Sequence, residues 1–289
     1  MKMKKLSKLL LLFLAIVSCT EPNNDIPMKT VESKLQSQIS DNNTPGLQYY
    51  FFDKDSIIFS FEGGFADIKD QRKVTANTTF NCNSVTKTFT ALAVLQLAEQ
   101  GKISLDDPIS KYLFDFPYPK NITVRQLLSH SAGIPNPIPI RWIHSPEEHA
   151  SFDSKAFFDD IFKKHNKVES NPNEKFSYSN LGYVFLGMLV EEVSGQDYSD
   201  YVDKNIIRRI GITPEELGFT IQNPELQSKG YQKTWSFMNL ALSFMFDKSK
   251  YIIDTEGKFT SYNSLYVNGS SYGGLIGSGT AFVSYLQEL

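Results

Sequence analysis

The sequence predicts an α+β fold, and three observations support that class. Two β-rich runs, residues 47–52 and 57–61, are separated by four polar residues, which is typical of a hairpin. Most of the chain after them has helical periodicity, and regular β-α-β alternation is absent from the pattern. The 289 residues, of which 41% are hydrophobic, suffice for one large domain or two modest ones with a sizeable core.

Net charge and cysteine content exclude several classes of protein. Lysine and arginine number 29 against 32 aspartate and glutamate residues, so the net charge is −3 and the chain lacks the basic excess of a nucleic-acid-binding protein. The two cysteines, Cys19 and Cys82, have neither CxxC nor paired-histidine spacing, which argues against disulfide scaffolds, zinc ribbons and iron–sulfur sites. We expect the protein to need no metal ion and no cofactor.

The first 18 residues have the pattern of a signal peptide. Four lysines precede an apolar run of nine residues, Leu9–Val17, which is too short to span a bilayer as a helix. This run leads into Ile16-Val17-Ser18-Cys19, which resembles a bacterial lipobox and predicts that Cys19 carries lipid; the alternative is an ordinary secretory signal with a chance cysteine. We therefore predict a lipid-anchored protein of the bacterial cell envelope, periplasmic or surface-facing, with residues 19–29 as a tether and residues 30–289 as the domain.

The first elements of the domain follow from periodicity and turn residues. Residues 30–40 carry apolar side chains at every fourth position, which predicts an amphipathic helix that ends before Pro45-Gly46. The hairpin comes next. Gly63-Gly64 then predict a bulge or a tight bend.

Helices dominate the rest of the predicted domain. Residues 84–100 are apolar on nearly every side, which predicts a buried helix with Gly101 at its C′ position. Thr123 is a good cap for a short helix that continues through Leu127-Leu128 and stops by Gly133. We further predict a long loop over residues 135–150, amphipathic helices around 157–162 and 183–193, and a last helix from Thr280.

Ser84-Val85-Thr86-Lys87 forms an S-x-x-K string at the start of the buried helix. The i, i+3 spacing places the serine and the lysine on one helix face. Unpaired amides and the positive dipole at a helix N-terminus favour an oxyanion, and a desolvated lysine there has a lowered pKa and can accept the serine proton. The string alone is weak evidence, since about 2.5 such strings are expected by chance in this composition, but its position suits an acyl-transferring serine.

A Y-x-N string occurs twice, at Tyr178-Ser179-Asn180 and at Tyr266-Val267-Asn268. About one is expected by chance. Only Tyr178 precedes an amphipathic helix, so the first string is the candidate for the site.

Five segments together resemble the β-lactamase-related serine hydrolases, a family of class C β-lactamase and penicillin-binding protein-like enzymes. In the family's order they are residues 77–90, 101–108, 122–133, 176–182 and 273–275, and they cover roughly residues 46–289. The resemblance implies a β-lactamase/transpeptidase-like fold, with an antiparallel sheet packed by helices and a helical region. It also implies hydrolysis of an amide, β-lactam or ester substrate through an acyl-enzyme.

The same resemblance assigns the site residues. Ser84 is the nucleophile, Lys87 its partner, Tyr178 the group that shuttles protons, and Asn180 the residue that hydrogen-bonds the substrate's amide side chain and Lys87. Cys82 is interpreted as a buried apolar filler. Of the histidines, His130 is interpreted as structural rather than catalytic, and three are interpreted as surface residues: His144, His149 and His165.

The chain departs from the family at its third motif, Lys/His-x-Gly. No glycine here has lysine or histidine two residues before it, and the sequence ends at Leu289, shortly after Gly273-Gly274-Leu275. We therefore expect a domain with missing C-terminal strands, an unpaired sheet edge beside the hairpin and reduced activity, because that strand ordinarily supplies a second oxyanion amide. Two functions remain open: a serine hydrolase acting on a small molecule or peptide, and a non-catalytic cell-envelope lipoprotein that keeps the fold as a binding module.

Overall fold

The computed structural model describes residues 28–137, 139–236 and 251–289. The signal peptide, Cys19 and nearly all of the tether that the sequence predicts lie outside these residues. Within the described part, no helix combines the length and the apolar composition needed to cross a membrane.

The N-terminal part is a helix followed by a hairpin, as predicted. Helix α1 spans Met28–Ser40, and strands β1 (Gly46–Phe52) and β2 (Ile57–Asp67) pair antiparallel. Strand β3 (Arg72–Lys73) extends this sheet in the order β1-β2-β3. Phe51 remains 51% exposed on the face of β1 opposite Tyr50.

The two glycines of β2 keep a regular pairing with β1, and the irregularity of the strand lies directly after them, between Phe65 and Asp67 in the pairing with β3. Gly63 pairs with Leu47 and Gly64 pairs with Gly46. Glycine is required at position 64 because the residue has a φ of +78° and a Cβ atom there would lie 2.1 Å from the carbonyl oxygen of Pro45.

The other strands form three small antiparallel sheets, ordered β4-β11-β6, β7-β9-β8 and β10-β5. Their bounds are Thr79–Asn81 (β4), Ile143–His144 (β5), Leu217–Gly218 (β6), Gly230–Lys233 (β7), Ile252–Glu256 (β8), Phe259–Tyr262 (β9), Tyr266–Val267 (β10) and Ile276–Ser278 (β11).

The helical region is built around two packed helices, α2 and α6, and the predicted helices are present. The helices after α1 are Thr86–Glu99 (α2), Val124–Leu128 (α3), Pro146–His149 (α4), Ser154–Lys164 (α5), Asn180–Ser194 (α6), Tyr198–Val202 (α7), Ser270–Gly273 (α8) and Gly279–Gln287 (α9). Single turns of 3₁₀ helix lie at Asn83–Val85, Ile109–Lys111, Pro139–Arg141 and Arg208–Ile210, and a π-helical turn at Asp203–Ile207.

Local end signals bound these helices where the sequence predicts. Gly101 and Gly195 follow α2 and α6 with φ values of +68° and +69°. Thr123 and Gln126 form a capping box at the start of α3. The predicted end of α3 at Leu127-Leu128 is confirmed. One detail differs from expectation: the helix predicted over residues 84–100 is buried less uniformly than expected, with Val85 48% exposed.

Residues 135–150 contain regular structure and are not only the long loop that the sequence predicts. A 3₁₀ turn, strand β5 and helix α4 all fall within this range, because β5 pairs with the distant β10. His144 is therefore buried: its Nδ1 lies 2.8 Å from Asn268 Oδ1 and its Nε2 lies 2.8 Å from His149 Nδ1. The interpretation of His144 as a surface residue is wrong, His149 is half-buried beside it, and His165 is exposed as expected.

Candidate active site

Ser84 lies on the 3₁₀ turn that joins β4 to α2. The preceding residue, Asn83, has a φ of +45°, and its side-chain amide donates to the carbonyl oxygen of Asn81 at 3.2 Å. This left-handed conformation is uncommon for non-glycine residues, and asparagine is one of the few that tolerate it. The turn leaves the Ser84 side chain exposed to solvent at the N-terminal end of α2.

Lys87 lies one helical turn beyond Ser84 and is only 6% exposed. Its Nζ donates to Ser84 Oγ at 3.1 Å and to the carbonyl oxygen of Tyr272 at 2.7 Å. The ring centroids of Tyr178, Tyr272 and Tyr183 lie 5.0, 5.3 and 5.6 Å from the same nitrogen. Because these neutral groups replace water around the amine, burial lowers the pKa of Lys87 to about 7.

Tyr178 completes a triad of hydrogen-bonded groups. Its hydroxyl lies 2.8 Å from Ser84 Oγ. The next residue, Ser179, caps α6: its hydroxyl accepts from the amide of Gly182 at 3.1 Å and donates to the carbonyl oxygen of Pro135 at 2.9 Å. The cap therefore holds the chain that carries Tyr178 at a defined place beside the nucleophile.

Asn180 is the first residue of α6 and is buried beside these groups. Its backbone amide donates to Asn136 Oδ1 at 3.0 Å, while its own Oδ1 is buried and has no hydrogen-bond partner within the described residues. The predicted hydrogen bond from Lys87 to Asn180 is therefore not formed in this structure. The lysine instead donates to Ser84 and to a backbone carbonyl.

That carbonyl belongs to a segment that sequence reasoning did not assign to the site. Residues 270–275 run along α2: Thr90 Oγ1 donates to the carbonyl oxygen of Ser271 at 2.6 Å, and the amide of Leu275 donates to Thr86 Oγ1 at 3.1 Å. These bonds fix the Tyr272 carbonyl over Lys87. The sequence signal for this segment is Gly273-Gly274-Leu275, which resembles the family. That resemblance does not by itself show that a backbone carbonyl here accepts a hydrogen bond from Lys87.

The remaining candidates have structural surroundings. Cys82 donates its thiol to the carbonyl oxygen of Phe80 at 3.3 Å, and burial raises its pKa to about 12, which agrees with an inert filler. In the second Y-x-N string, Tyr266 stacks on His149 with centroids 3.7 Å apart and Asn268 binds His144, so this string joins β10 to β5. Nowhere in the described ranges do three or more histidine, cysteine, aspartate or glutamate side chains form a group that would hold a metal ion.

An α+β domain with a serine, a lysine and a tyrosine hydrogen-bonded at the start of a central helix has the arrangement that an acyl-transferring serine needs. Residues 30–243 match the sequence model of the family named Beta-lactamase, and the chain belongs to that family. This confirms the class indicated by the five sequence segments.

Individual relatives agree with this assignment. The chain is 26% identical over 228 residues to Penicillin-binding protein 4* of Bacillus subtilis (strain 168), a match that covers 78% of this chain and 48% of that protein. The chain spans a little under half the length of curated relatives that it matches.

Solved structures show the same fold. The octameric penicillin-binding protein homologue from Pyrococcus abyssi superposes with a TM-score of 0.69 at 26% identity, over 91% of this chain and 56% of that one. The D-amino acid amidase from Ochrobactrum anthropi SV3 superposes with a TM-score of 0.73 at 22% identity, over 90% of this chain and 70% of that one. The β-lactamase/transpeptidase-like fold predicted from the sequence is confirmed.

Proposed function

We propose that this protein hydrolyses an amide, β-lactam or ester substrate through an acyl-enzyme formed at Ser84. One observation carries the proposal: a buried amine with a pKa of about 7 donates a hydrogen bond to an exposed serine hydroxyl, which a tyrosine hydroxyl also contacts. A lysine with only a structural role does not need to contact a serine hydroxyl, whereas a nucleophilic serine needs a nearby base that is neutral at working pH.

The contacts around Ser84 support a specific order of proton transfers in acylation. Ser84 Oγ attacks the carbonyl carbon while its proton passes to the neutral amine of Lys87. As the bond to the leaving nitrogen or oxygen breaks, the hydroxyl of Tyr178 gives that atom a proton and recovers one from the lysine ammonium. The acyl group then remains on Ser84 Oγ, and both proton carriers have returned to their starting states.

Hydrolysis of the acyl-enzyme reverses these roles. A water molecule attacks the acyl carbonyl and loses a proton to the Tyr178–Lys87 pair, and Ser84 Oγ leaves after taking a proton back. Asn180 has a separate part in this proposal, because its buried Oδ1 lacks a partner within the described residues and a substrate N–H would satisfy it. Relatives that are a penicillin-binding protein and an amidase support carbonyl substrates of this kind.

Covalent labelling tests the proposal. A fluorescent fluorophosphonate and a fluorescent penicillin should label the folded wild type, and mass spectrometry should place the acyl or phosphonyl group on Ser84. Ser84→Ala should lose the label, whereas Ser129→Ala, which changes an exposed serine on another turn, should keep it. A folded wild type that neither probe labels would favour the alternative, a binding module without catalysis.

We also propose that Cys19 carries lipid and attaches the protein to a membrane of the cell envelope. The lipobox-like string at Ile16-Val17-Ser18-Cys19 supports this. Cys19→Ala should leave an unprocessed or soluble form on cell fractionation. Recovery of the wild type wholly in the soluble periplasmic extract would contradict the anchor.

A further inference from the structure

Three contacts from one residue, His130, converge on Tyr178 and its two neighbours. The backbone carbonyl of His130 accepts from the amide of Ser177 at 2.7 Å, and its Nδ1 accepts from the amide of Ser179 at 3.2 Å. The imidazole ring lies against the ring of Tyr178, with centroids 4.4 Å apart. The backbone amides of both residues next to the tyrosine, and the tyrosine ring itself, therefore contact a single histidine.

The backbone of His130 is held in an unusual conformation. Its φ is +55°, in the left-handed region that non-glycine residues adopt only where the surrounding structure requires it. Successive amides close the end of α3 around it: His130 N donates to the carbonyl oxygen of Leu127, and Ser131 N donates to that of Gln126. The strained turn is thus anchored to a capped helix, which gives the contacts with residues 177–179 a rigid base.

We propose that His130 is a positioning residue that holds the hydroxyl of Tyr178 at hydrogen-bond distance from Ser84. This inference rests on the proposed function, since it assigns the histidine to the proton-transfer step at that site. Within the described residues His130 makes no hydrogen bond to Ser84, and it acts through the segment that carries the tyrosine.

The role requires the neutral form of the imidazole. Nδ1 accepts a hydrogen bond, so the proton of the neutral ring lies on Nε2, and a second proton on Nδ1 would break the bond to Ser179. The titratable groups packed around the ring are Lys87 from α2, Tyr178, and Tyr183 from α6. Burial and the nearby charge of Lys87 lower the pKa of His130 to about 4, which keeps the bond to Ser179 intact at neutral pH.

Two substitutions separate this role from general packing. His130→Gly removes the ring and the acceptor, and glycine adopts the left-handed conformation without strain. His130→Asn restores an acceptor close to the position of Nδ1 and also tolerates that conformation. Both variants retain the backbone carbonyl that binds Ser177, so the Ser177 amide serves as an internal control.

The experiment measures fluorophosphonate labelling of wild type, His130→Gly and His130→Asn, each with Tyr178 and with Tyr178→Phe. We expect His130→Gly to slow covalent labelling by about 10- to 100-fold with probe affinity changed less than about twofold, and His130→Asn to recover most of the rate. In the Tyr178→Phe background, His130→Gly should cause no further loss. The proposal would be overturned if His130→Gly slowed labelling as much in the Tyr178→Phe background as in wild type. It would also be overturned if His130→Gly alone did not slow labelling.

Hydrogen exchange gives a readout that does not depend on activity. The Ser179 amide should be protected in wild type, exchange rapidly in His130→Gly and regain protection in His130→Asn, while the Ser177 amide stays protected throughout. A wild type that is not labelled but shows this exchange pattern would contradict the proposed function and leave the contact with Ser179 established. Equal protection of the Ser179 amide in wild type and His130→Gly would contradict the positioning role itself.

Discussion

Replacing Lys87 by methionine should abolish acylation of Ser84 and, at the same time, stabilise the fold. The amine is buried beside three tyrosine rings and has no carboxylate partner in the part of the chain that the structure describes. Burying a charged amine without a counter-ion is unfavourable, whereas methionine has similar length and no charge. Burial of Lys87 therefore lowers the free energy of unfolding, and it also produces a base that is neutral near pH 7.

The size of the effect follows from the pKa of Lys87, which burial lowers from 10.5 to about 7. At about 1.4 kcal/mol per pH unit, burial of the charged amine lowers the free energy of unfolding by at most about 5 kcal/mol. The substitution also loses the hydrogen bonds to Ser84 and to the Tyr272 carbonyl, which costs about 1–3 kcal/mol, and the contacts with the rings. We expect a net gain of about 1–3 kcal/mol in the free energy of unfolding at pH 6.

The pH dependence isolates the lysine from other effects. Between about pH 7 and pH 10.5 the unfolded chain keeps the Lys87 proton while the folded protein has lost it, so the free energy of unfolding of the wild type rises with pH in this window. The variant lacks this rise, and the other groups titrate in both proteins. Its advantage over wild type should therefore shrink by about 3 kcal/mol between pH 6 and pH 9.

Urea unfolding at both pH values measures the difference, with fluorophosphonate labelling in parallel. Labelling of Lys87→Met should fall at least about 10²-fold, the lower end of the range for loss of a general base. Lys102→Met is the matched control, because Lys102 is exposed and its replacement should leave stability and labelling nearly unchanged. A stability difference between Lys87→Met and wild type that is the same at pH 6 and pH 9 would refute the desolvation argument.

Three further outcomes are expected. The rate of acylation of Ser84 should rise with pH through about 7 and then level off, because Lys87 accepts the proton only when it is neutral; a pH-independent rate of probe labelling would contradict this. Cys82→Ser should lower the melting temperature and change the labelling rate little, since it places a hydroxyl in a desolvated position. Gly64→Ala should destabilise the protein by more than about 2 kcal/mol in urea unfolding, whereas Gly101→Ala, at a similar φ but with no atom within 4 Å of the added Cβ, should cost only about 1 kcal/mol.

Features specified by neighbouring residues were predictable from the sequence. The hairpin follows from two β-rich runs and a polar turn, and α6 ends at Gly195 because glycine accepts the left-handed conformation. Ser84 and Lys87 share a helix face through their i, i+3 spacing, and the structure joins them at 3.1 Å. Tyr178 was assigned by resemblance and by its place before a helix, and its hydroxyl lies 2.8 Å from Ser84.

Contacts between distant segments were not predictable in the same way. Nothing in the local pattern shows that the carbonyl of Tyr272 faces Lys87, because every residue carries a carbonyl and only the path of the chain selects one of them. His144 has the sequence surroundings of a loop residue, yet the pairing of β5 with β10 buries it. His130 likewise meets Ser179 across 49 positions of the chain.

The amino-acid sequence by itself determined the helices and the main hairpin, because periodicity and capping act over a few residues. Resemblance over five segments indicated the family and the candidate serine, lysine and tyrosine. The tertiary structure decided the partner of Lys87, the pKa of its amine and the place of His130 beside Tyr178. Burial and hydrogen bonding between segments depend on which surfaces the folded chain brings together, and that information is spread over the whole chain.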